Sequence, residues 1–94
     1  MRTLVWSASF RRAFKRTIRR RPELRVRVQR TLEQLAEDPF HPMLHSHKLK
    51  GELIGAWACT VDYDNRIIFD FVSNPDLGEE AILLLTMGTH DEVY

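Results

Sequence analysis

Trp57-Ala58-Cys59-Thr60-Val61-Asp62-Tyr63-Asp64-Asn65-Arg66-Ile67-Ile68-Phe69-Asp70-Phe71-Val72 is the stretch that decides the fold. Trp57, Cys59 and Val61 alternate with Ala58 and Thr60, the period of two that belongs to a strand. Asp62 to Asn65 is turn chemistry. Arg66 to Val72 is a β-branched and aromatic run of the kind that fills a pleated surface. A strand, a tight turn and a second strand make a β-hairpin.

Working outward, Ser73-Asn74-Pro75-Asp76-Leu77-Gly78 reads as a turn throughout. Ala81 to Met87 reads as the last strand, central because it is apolar almost without interruption. Gly88 is expected to end it, leaving Thr89 to Tyr94 as a short tail. In the other direction, His47-Lys48-Leu49-Lys50 alternates, Gly51 and Gly55 suggest turns, and Pro39 to Ser46 has the prolines of a loop. Two helices precede it. Leu24, Val28, Leu32 and Leu35 recur every three or four residues until Asp38-Pro39 stops them. Phe10, Phe14 and Ile18 form a second stripe, with Ser7 or Ser9 available as its cap and Pro22 as the break between helices. Arg2 to Trp6 reads as a first strand. The order β, α, α, then three or four strands predicts one α+β domain over residues 1–94, an antiparallel sheet with a helical hairpin packed on one face.

The net charge of +1 conceals a segregation. Through Arg30 there are eleven basic residues and one acid, Glu23; beyond it three basic residues face twelve acids. Ten of the eleven are arginine, whose planar guanidinium matches phosphate and carboxylate. Arg11, Arg12, Arg16, Arg19 and Arg20 crowd the first helix. Such a face would repel itself without a partner, so nucleic acid or an acidic protein is expected. The longest apolar run, Ala81 to Leu85, is strand-sized, and no apolar stretch near Met1 is long enough for a signal peptide. A lone cysteine, Cys59, makes neither an internal disulfide nor a thiolate metal cluster and reads as a small buried hydrophobe. The expected compartment is the cytoplasm. Of the clustered histidines His41, His45 and His47, a metal site would need a helix to align positions four apart, and Pro42 opposes one.

Three segments carry a resemblance. They are His47-Lys48-Leu49-Lys50-Gly51 followed by Trp57, the hairpin Val61 to Phe69, and Gly88-Thr89-His90-Asp91-Glu92-Val93-Tyr94. With the βααβββ order they resemble the RelE/ParE toxin superfamily, and the Gly-Thr-His followed by an aromatic four residues after the histidine resembles its YafQ-like, RNA-cleaving branch. The resemblance implies a toxin of a type II toxin–antitoxin pair that cleaves mRNA on the ribosome, without metal or cofactor. It implies a site of His47, Asp64, His90 and Tyr94, with Lys50 and Arg66 as phosphate contacts. It also implies an acidic antitoxin, through which alone operator DNA would be bound. One departure stands out: where the branch carries another histidine, this chain has Thr60, whose hydroxyl cannot carry protons near neutral pH.

The residue types suit that chemistry. Cleavage needs a proton removed from the 2′-hydroxyl, a proton delivered to the 5′-oxygen and charge stabilised on the phosphate. Histidine, with an ordinary pKa of about 6.5, both takes and gives protons at physiological pH. A fixed cation beside the phosphate is worth about 3–4 kcal/mol. An aromatic ring stacks an unpaired base for about 1–3 kcal/mol. Each residue has a plainer reading beside this one. Asp64 suits a turn because it bonds its own backbone, Arg66 can pair with Asp62 or Asp64, Tyr94 can anchor its segment, and Trp6 and Trp57 belong to the core. The alternatives are a ParE-like toxin that binds DNA gyrase and cleaves nothing, and a degenerate toxin weakened at Thr60. Gly88-Thr89-His90 with its aromatic partner is the feature a pure binder has no chemical reason to carry.

Overall fold

The structure, a computed structural model, describes residues 1–50, 55–74, 76 and 79–94. In chain order the elements are β1 (Thr3–Trp6), α1 (Ala8–Arg20), α2 (Leu24–Glu37), a single 3-10 turn (Pro42–Leu44), β2 (His47–Lys48), β3 (Trp57–Thr60), β4 (Asn65–Asn74), β5 (Glu79–Thr89) and α3 (His90–Val93). Of the turn expected over Ser73 to Gly78, Ser73 and Asn74 still belong to β4. Positions 75, 77 and 78 lie outside the described residues, as does the turn expected at Gly51.

Five strands form one sheet in the order β1-β5-β4-β3-β2. The α+β expectation holds, but the sheet is mixed rather than antiparallel, because β1 pairs with β5 in parallel, Thr3 opposite Ala81 and Trp6 opposite Leu84. The helical hairpin carries the chain from β1 across one face to the opposite edge, which leaves β1 free to dock alongside β5. Strand alternation says which face is apolar and nothing about direction, so the sequence held no signal for this pairing.

Ser7 is the cap of α1: its side-chain oxygen accepts from the Phe10 amide at 3.0 Å and donates to the Leu85 carbonyl at 3.2 Å, so the helix start is fastened to β5. The expected stripes face the sheet. Phe10, Ala13, Leu24, Val28, Leu32 and Leu35 are buried against Cys59, Val61, Ile67, Phe69, Ile82, Leu84 and Met87, with Trp6, Phe14 and Ile18 packed at the margin. Each fully buried large side chain contributes about 1.5–3 kcal/mol. The Trp6 and Phe10 rings meet edge to face at 4.9 Å.

The opposite face has a smaller apolar cluster of Ala56, Ala58, Ile68 and Val93, flanked by Leu49 and Leu85. A bulge explains how β5 serves both. Ile68 pairs with Thr86 but Phe69 pairs with Leu84, so the extra residue, Leu85, turns to the second face while Leu84 and Met87 both point at the helices. Central position and double burial account for the near-continuous apolarity of the strand.

Cys59 is fully buried in the main core, and burial pushes its thiol up to about 12. It is therefore protonated and inert in the folded chain. A thiol-specific reagent at pH 8 is expected to leave the native protein unlabelled over hours and to label one thiol per chain once guanidinium unfolds it. Rapid labelling of native protein would contradict this burial.

Candidate active site

The far ends of β4 and β5 and the turn before β4 make the site. In that turn the Asp62 carboxylate accepts from the Asn65 amide at 2.7 Å, the Asp64 amide at 3.0 Å and the Asn65 side-chain amide at 3.0 Å. Burial works to raise the Asp62 carboxyl, but these bonds, with the Arg21 guanidinium nearby, hold it below the ordinary value. Arg21 Nη2 lies 4.0 Å from Asp62, while its Nε donates to Glu23 at 2.9 Å, so the link between the helices is tied to the turn. Arg66 does not pair with a carboxylate across the hairpin. Its Nη1 donates to the backbone carbonyls of Asp62, Tyr63 and Asn65 at 2.7, 3.0 and 3.1 Å, which fixes the guanidinium against the turn.

β5 runs past the expected stop at Gly88 to Thr89, and the expected tail is a helical turn. Thr89 and Glu92 form a capping box: the Thr89 amide donates to Glu92 Oε1 at 3.0 Å and the Glu92 amide donates to Thr89 Oγ1 at 3.3 Å. The Thr89 amide, then the Thr89 side chain and the charges of Arg20 and Arg16, hold the Glu92 carboxyl below its ordinary value. Arg20 Nη1 lies 3.6 Å from Glu92 Oε2, so α1 steadies α3. Gly88 lets α3 fold back closely. A Cβ there would meet Glu92 Cβ and Oε1 at 3.2 Å and Val93 Cγ1 at 3.4 Å.

These supports bring His47, His90 and Tyr94 together. The His90 amide donates to the Asp64 carbonyl at 2.9 Å, and the His90 and Tyr94 rings meet edge to face at 4.4 Å. Tyr94 Oη lies 3.3 Å from His47 Nε2, across 47 positions of sequence. His47 Nδ1 lies 3.1 Å from the His45 carbonyl, which can only accept, so Nδ1 carries the hydrogen and Nε2 is the acceptor in the neutral ring. The Tyr94 hydroxyl then donates to Nε2. Burial raises the Tyr94 hydroxyl above its ordinary value despite the opposing charge of Arg66, so it keeps its proton through the neutral range.

His90 Nδ1 is 3.7 Å from the Asp91 carboxylate, an ion pair whenever the ring is charged. Asp64 joins the group through its backbone, and its side chain is exposed. Lys50 is exposed just beyond β2. Arg11, Arg12, Arg16 and Arg19 are exposed along α1, whereas Arg20, exposed too, is engaged with Glu92. The neighbouring histidines separate. His41 Nδ1 accepts from the Met43 amide at 3.1 Å, and His45 ends the 3-10 turn in a left-handed conformation. Among the described residues no group of three or more His, Cys, Asp and Glu side chains is placed to hold a metal ion. Sequence reasoning missed Asp62, Arg21 and Glu92 as supports. The Thr-x-x-Glu spacing of Thr89 and Glu92 was the readable sign of the last.

Residues 2–94 match the model of a family described as the bacterial toxin of type II toxin–antitoxin systems, YafQ. The chain belongs to the YafQ toxin family. Its fold is similar to that of YafQ from E. coli strain BL21(DE3), at 16% identity, covering 100% of this chain and 99% of that one with a TM-score of 0.79. The E. coli DinJ-YafQ complex matches at 16% identity over 100% and 99% of the two chains, with a TM-score of 0.77. A metal-bound toxin from Helicobacter pylori matches at 22% over 100% of both, with a TM-score of 0.74. No curated protein matches.

Two substitutions test the supports of this YafQ-family site. Gly88→Ala is expected to leave the chain folded, lowering stability by about 1 kcal/mol or less, while displacing α3. The His47 and His90 imidazole resonances in NMR should both move, and unchanged resonances would show that α3 does not depend on the close approach. Asp62→Ala strands the donors of Asn65, which is 3% exposed, and should cost about 1–3 kcal/mol in urea denaturation. The folded Asp62 carboxyl lies below its unfolded value of about 3.9, so its contribution is complete above that pH and is lost as pH falls through the lowered folded value. The difference between wild type and Asp62→Ala should accordingly shrink below about pH 4.

Proposed function

We infer that this YafQ-family toxin is a metal-free endoribonuclease that cuts mRNA during translation in the cytoplasm, and that an antitoxin holds it in check. Tyr94 carries this reading by meeting both imidazoles, its Oη 3.3 Å from His47 Nε2 on distant β2 and its ring centroid 4.4 Å from that of His90. His47 presents an unprotonated Nε2 and serves as the base that takes the 2′-hydroxyl proton; His90, the second imidazole, returns a proton to the 5′-oxygen. The 2′-oxygen attacks the adjacent phosphorus, the bond to the 5′-oxygen breaks, and a cyclic phosphate is left. Arg66 has Nη1 fixed on the turn and offers Nε and Nη2 to the phosphate, with Lys50 as a second cation. The Tyr94 ring stacks a base, and its neutral hydroxyl keeps His47 aligned until substrate replaces that bond. Asp64 holds His90 through its carbonyl and adds a carboxylate at the edge of the site.

Thr60 stands on the strand before the turn where an additional histidine is expected, so two imidazoles must divide the proton work here. Arg11, Arg12, Arg16 and Arg19 extend the positive field along α1 and hold the polyanion of mRNA or ribosomal RNA; Arg20 contributes while also steadying α3. The DinJ-YafQ complex supports an antitoxin partner, and operator DNA is reached only through that partner.

The test is inducible expression in a bacterium with mapping of transcript 5′ ends, for wild type beside His47→Ala and His90→Ala. New cuts inside translated messages should appear with wild type and fall by about 100-fold or more with either substitution. Growth arrest without cuts, undiminished in the variants, would overturn the nuclease reading and favour a gyrase-binding toxin.

A further inference from the structure

Tyr63, in the turn before β4, is 91% exposed, so its ring adds almost nothing to the core. Its carbonyl accepts from Arg66 Nη1 at 3.0 Å, which anchors this exposed residue beside a cation of the candidate site. The ring borders an open groove of about 650 Å³ between α2, the 3-10 turn and the β3–β4 turn. Arg27 and Arg30 line it from α2, both exposed, and among the described residues neither has a carboxylate within 4.0 Å. Glu23 and Asp62 line it too, but their carboxylates face Arg21 at 2.9 and 4.0 Å.

The groove is continuous with the catalytic group. β2 pairs with β3 only at Trp57 and Ala58, and Thr60, beyond that pairing, lines the groove. Thr60 lies opposite Arg66 in the sheet, so the two side chains share the face that carries the site. His45 lines the groove as well, and its carbonyl is 3.1 Å from His47 Nδ1.

We propose, resting on the ribonuclease reading, that this groove is a subsite for the RNA upstream of the cut, with Tyr63 stacked on a base and Arg27 and Arg30 on the phosphates. The direction follows from the chemistry. The 2′-hydroxyl that gives its proton to His47 belongs to the nucleotide on the 5′ side of the scissile phosphate, and the groove opens beside His47. Nucleotides on that side pass Thr60 and His45 on the way to Tyr63. Exposed Val26 and Met43 add apolar surface against which bases lose water. Only an unpaired strand offers base faces to such a ring, which suits mRNA and not a helical stem. Stacking accepts every base but is strongest for purines, so Tyr63 shapes which upstream base accompanies a cut.

The probe is a ten-nucleotide oligoadenylate, 2′-O-methylated throughout so that it binds without being cut, beside the same backbone carrying abasic sugars. Affinity is measured by fluorescence anisotropy for wild type, Tyr63→Ala, Tyr63→Phe and Arg27→Gln/Arg30→Gln, and circular dichroism checks each fold. Transcript 5′ ends are mapped for the same set. Tyr63→Ala should bind oligoadenylate about 10-fold more weakly and the abasic chain as wild type does, while Tyr63→Phe should match wild type on both. Arg27→Gln/Arg30→Gln should weaken both chains alike and reduce the salt dependence of binding. In the transcripts, the share of purines upstream of the cut should fall with Tyr63→Ala and stay unchanged downstream. Tyr63→Ala that binds oligoadenylate like wild type, weakens the abasic chain equally or leaves the upstream share unchanged overturns the subsite, and wild-type cuts then leave the nuclease reading intact. A wild type that produces no cuts overturns the nuclease reading and the subsite with it.

Discussion

The hydrogen bond from the His90 amide to the Asp64 carbonyl, 2.9 Å long, joins two parts of the molecule that would otherwise only lie near one another. On one side is a turn knotted by the Asp62 carboxylate and by Arg66; on the other is α3, held by its capping box and by Arg20. Each part is held by short-range bonds of its own, and the bond between them seats α3 so that the Tyr94 hydroxyl lies 3.3 Å from His47 Nε2 on β2. A site built this way is preorganised. Substrate need not supply the energy of arranging it.

Electrostatics follows the same division. The arginine excess of the first thirty residues falls on the two helices, while most of the acids lie beyond them. A few of those acids are used locally: Glu92 meets Arg20, Asp62 meets Arg21, and Glu80 meets Arg2 at 3.6 Å. The two exposed pairs, Arg20–Glu92 and Arg2–Glu80, contribute little to stability singly. The effect of all three is on position, because they tie α1 to α3, the link between the helices to the turn before β4, and the start of β1 to β5. The helices thus pack the core with one face and present charge with the other.

The helical hairpin was fully legible because Leu24, Val28, Leu32 and Leu35 keep a helical period and every one of them is buried. The Asp62–Asn65 turn was legible from composition, and the cap of α1 was narrowed to Ser7 or Ser9, of which Ser7 is the one used. What the sequence hid was of two kinds. The parallel docking of β1 on β5 leaves no mark in alternation, which encodes faces and not directions. The helix α3 spans four residues, too few for any period, and its one sign was the spacing of Thr89 and Glu92. At the site, His47, His90 and Tyr94 could be named from resemblance, but not the carbonyl of His45 that fixes the His47 tautomer. Nor could Arg66 be assigned to three backbone carbonyls, since side chains that bond main chain have no partner to find in the sequence.

The register of β1 on β5 also bears on time. Thr3 lies opposite Ala81, so the first strand has no place in the sheet until almost the whole chain is present to receive it. Closing so long a loop in parallel register is entropically slow, and folds dominated by such distant pairings reach their native state later than those built from neighbours. The strand that receives β1 is the same one whose far end leads into His90. Closure of the sheet by β1 and completion of the candidate site therefore both wait for the same strand.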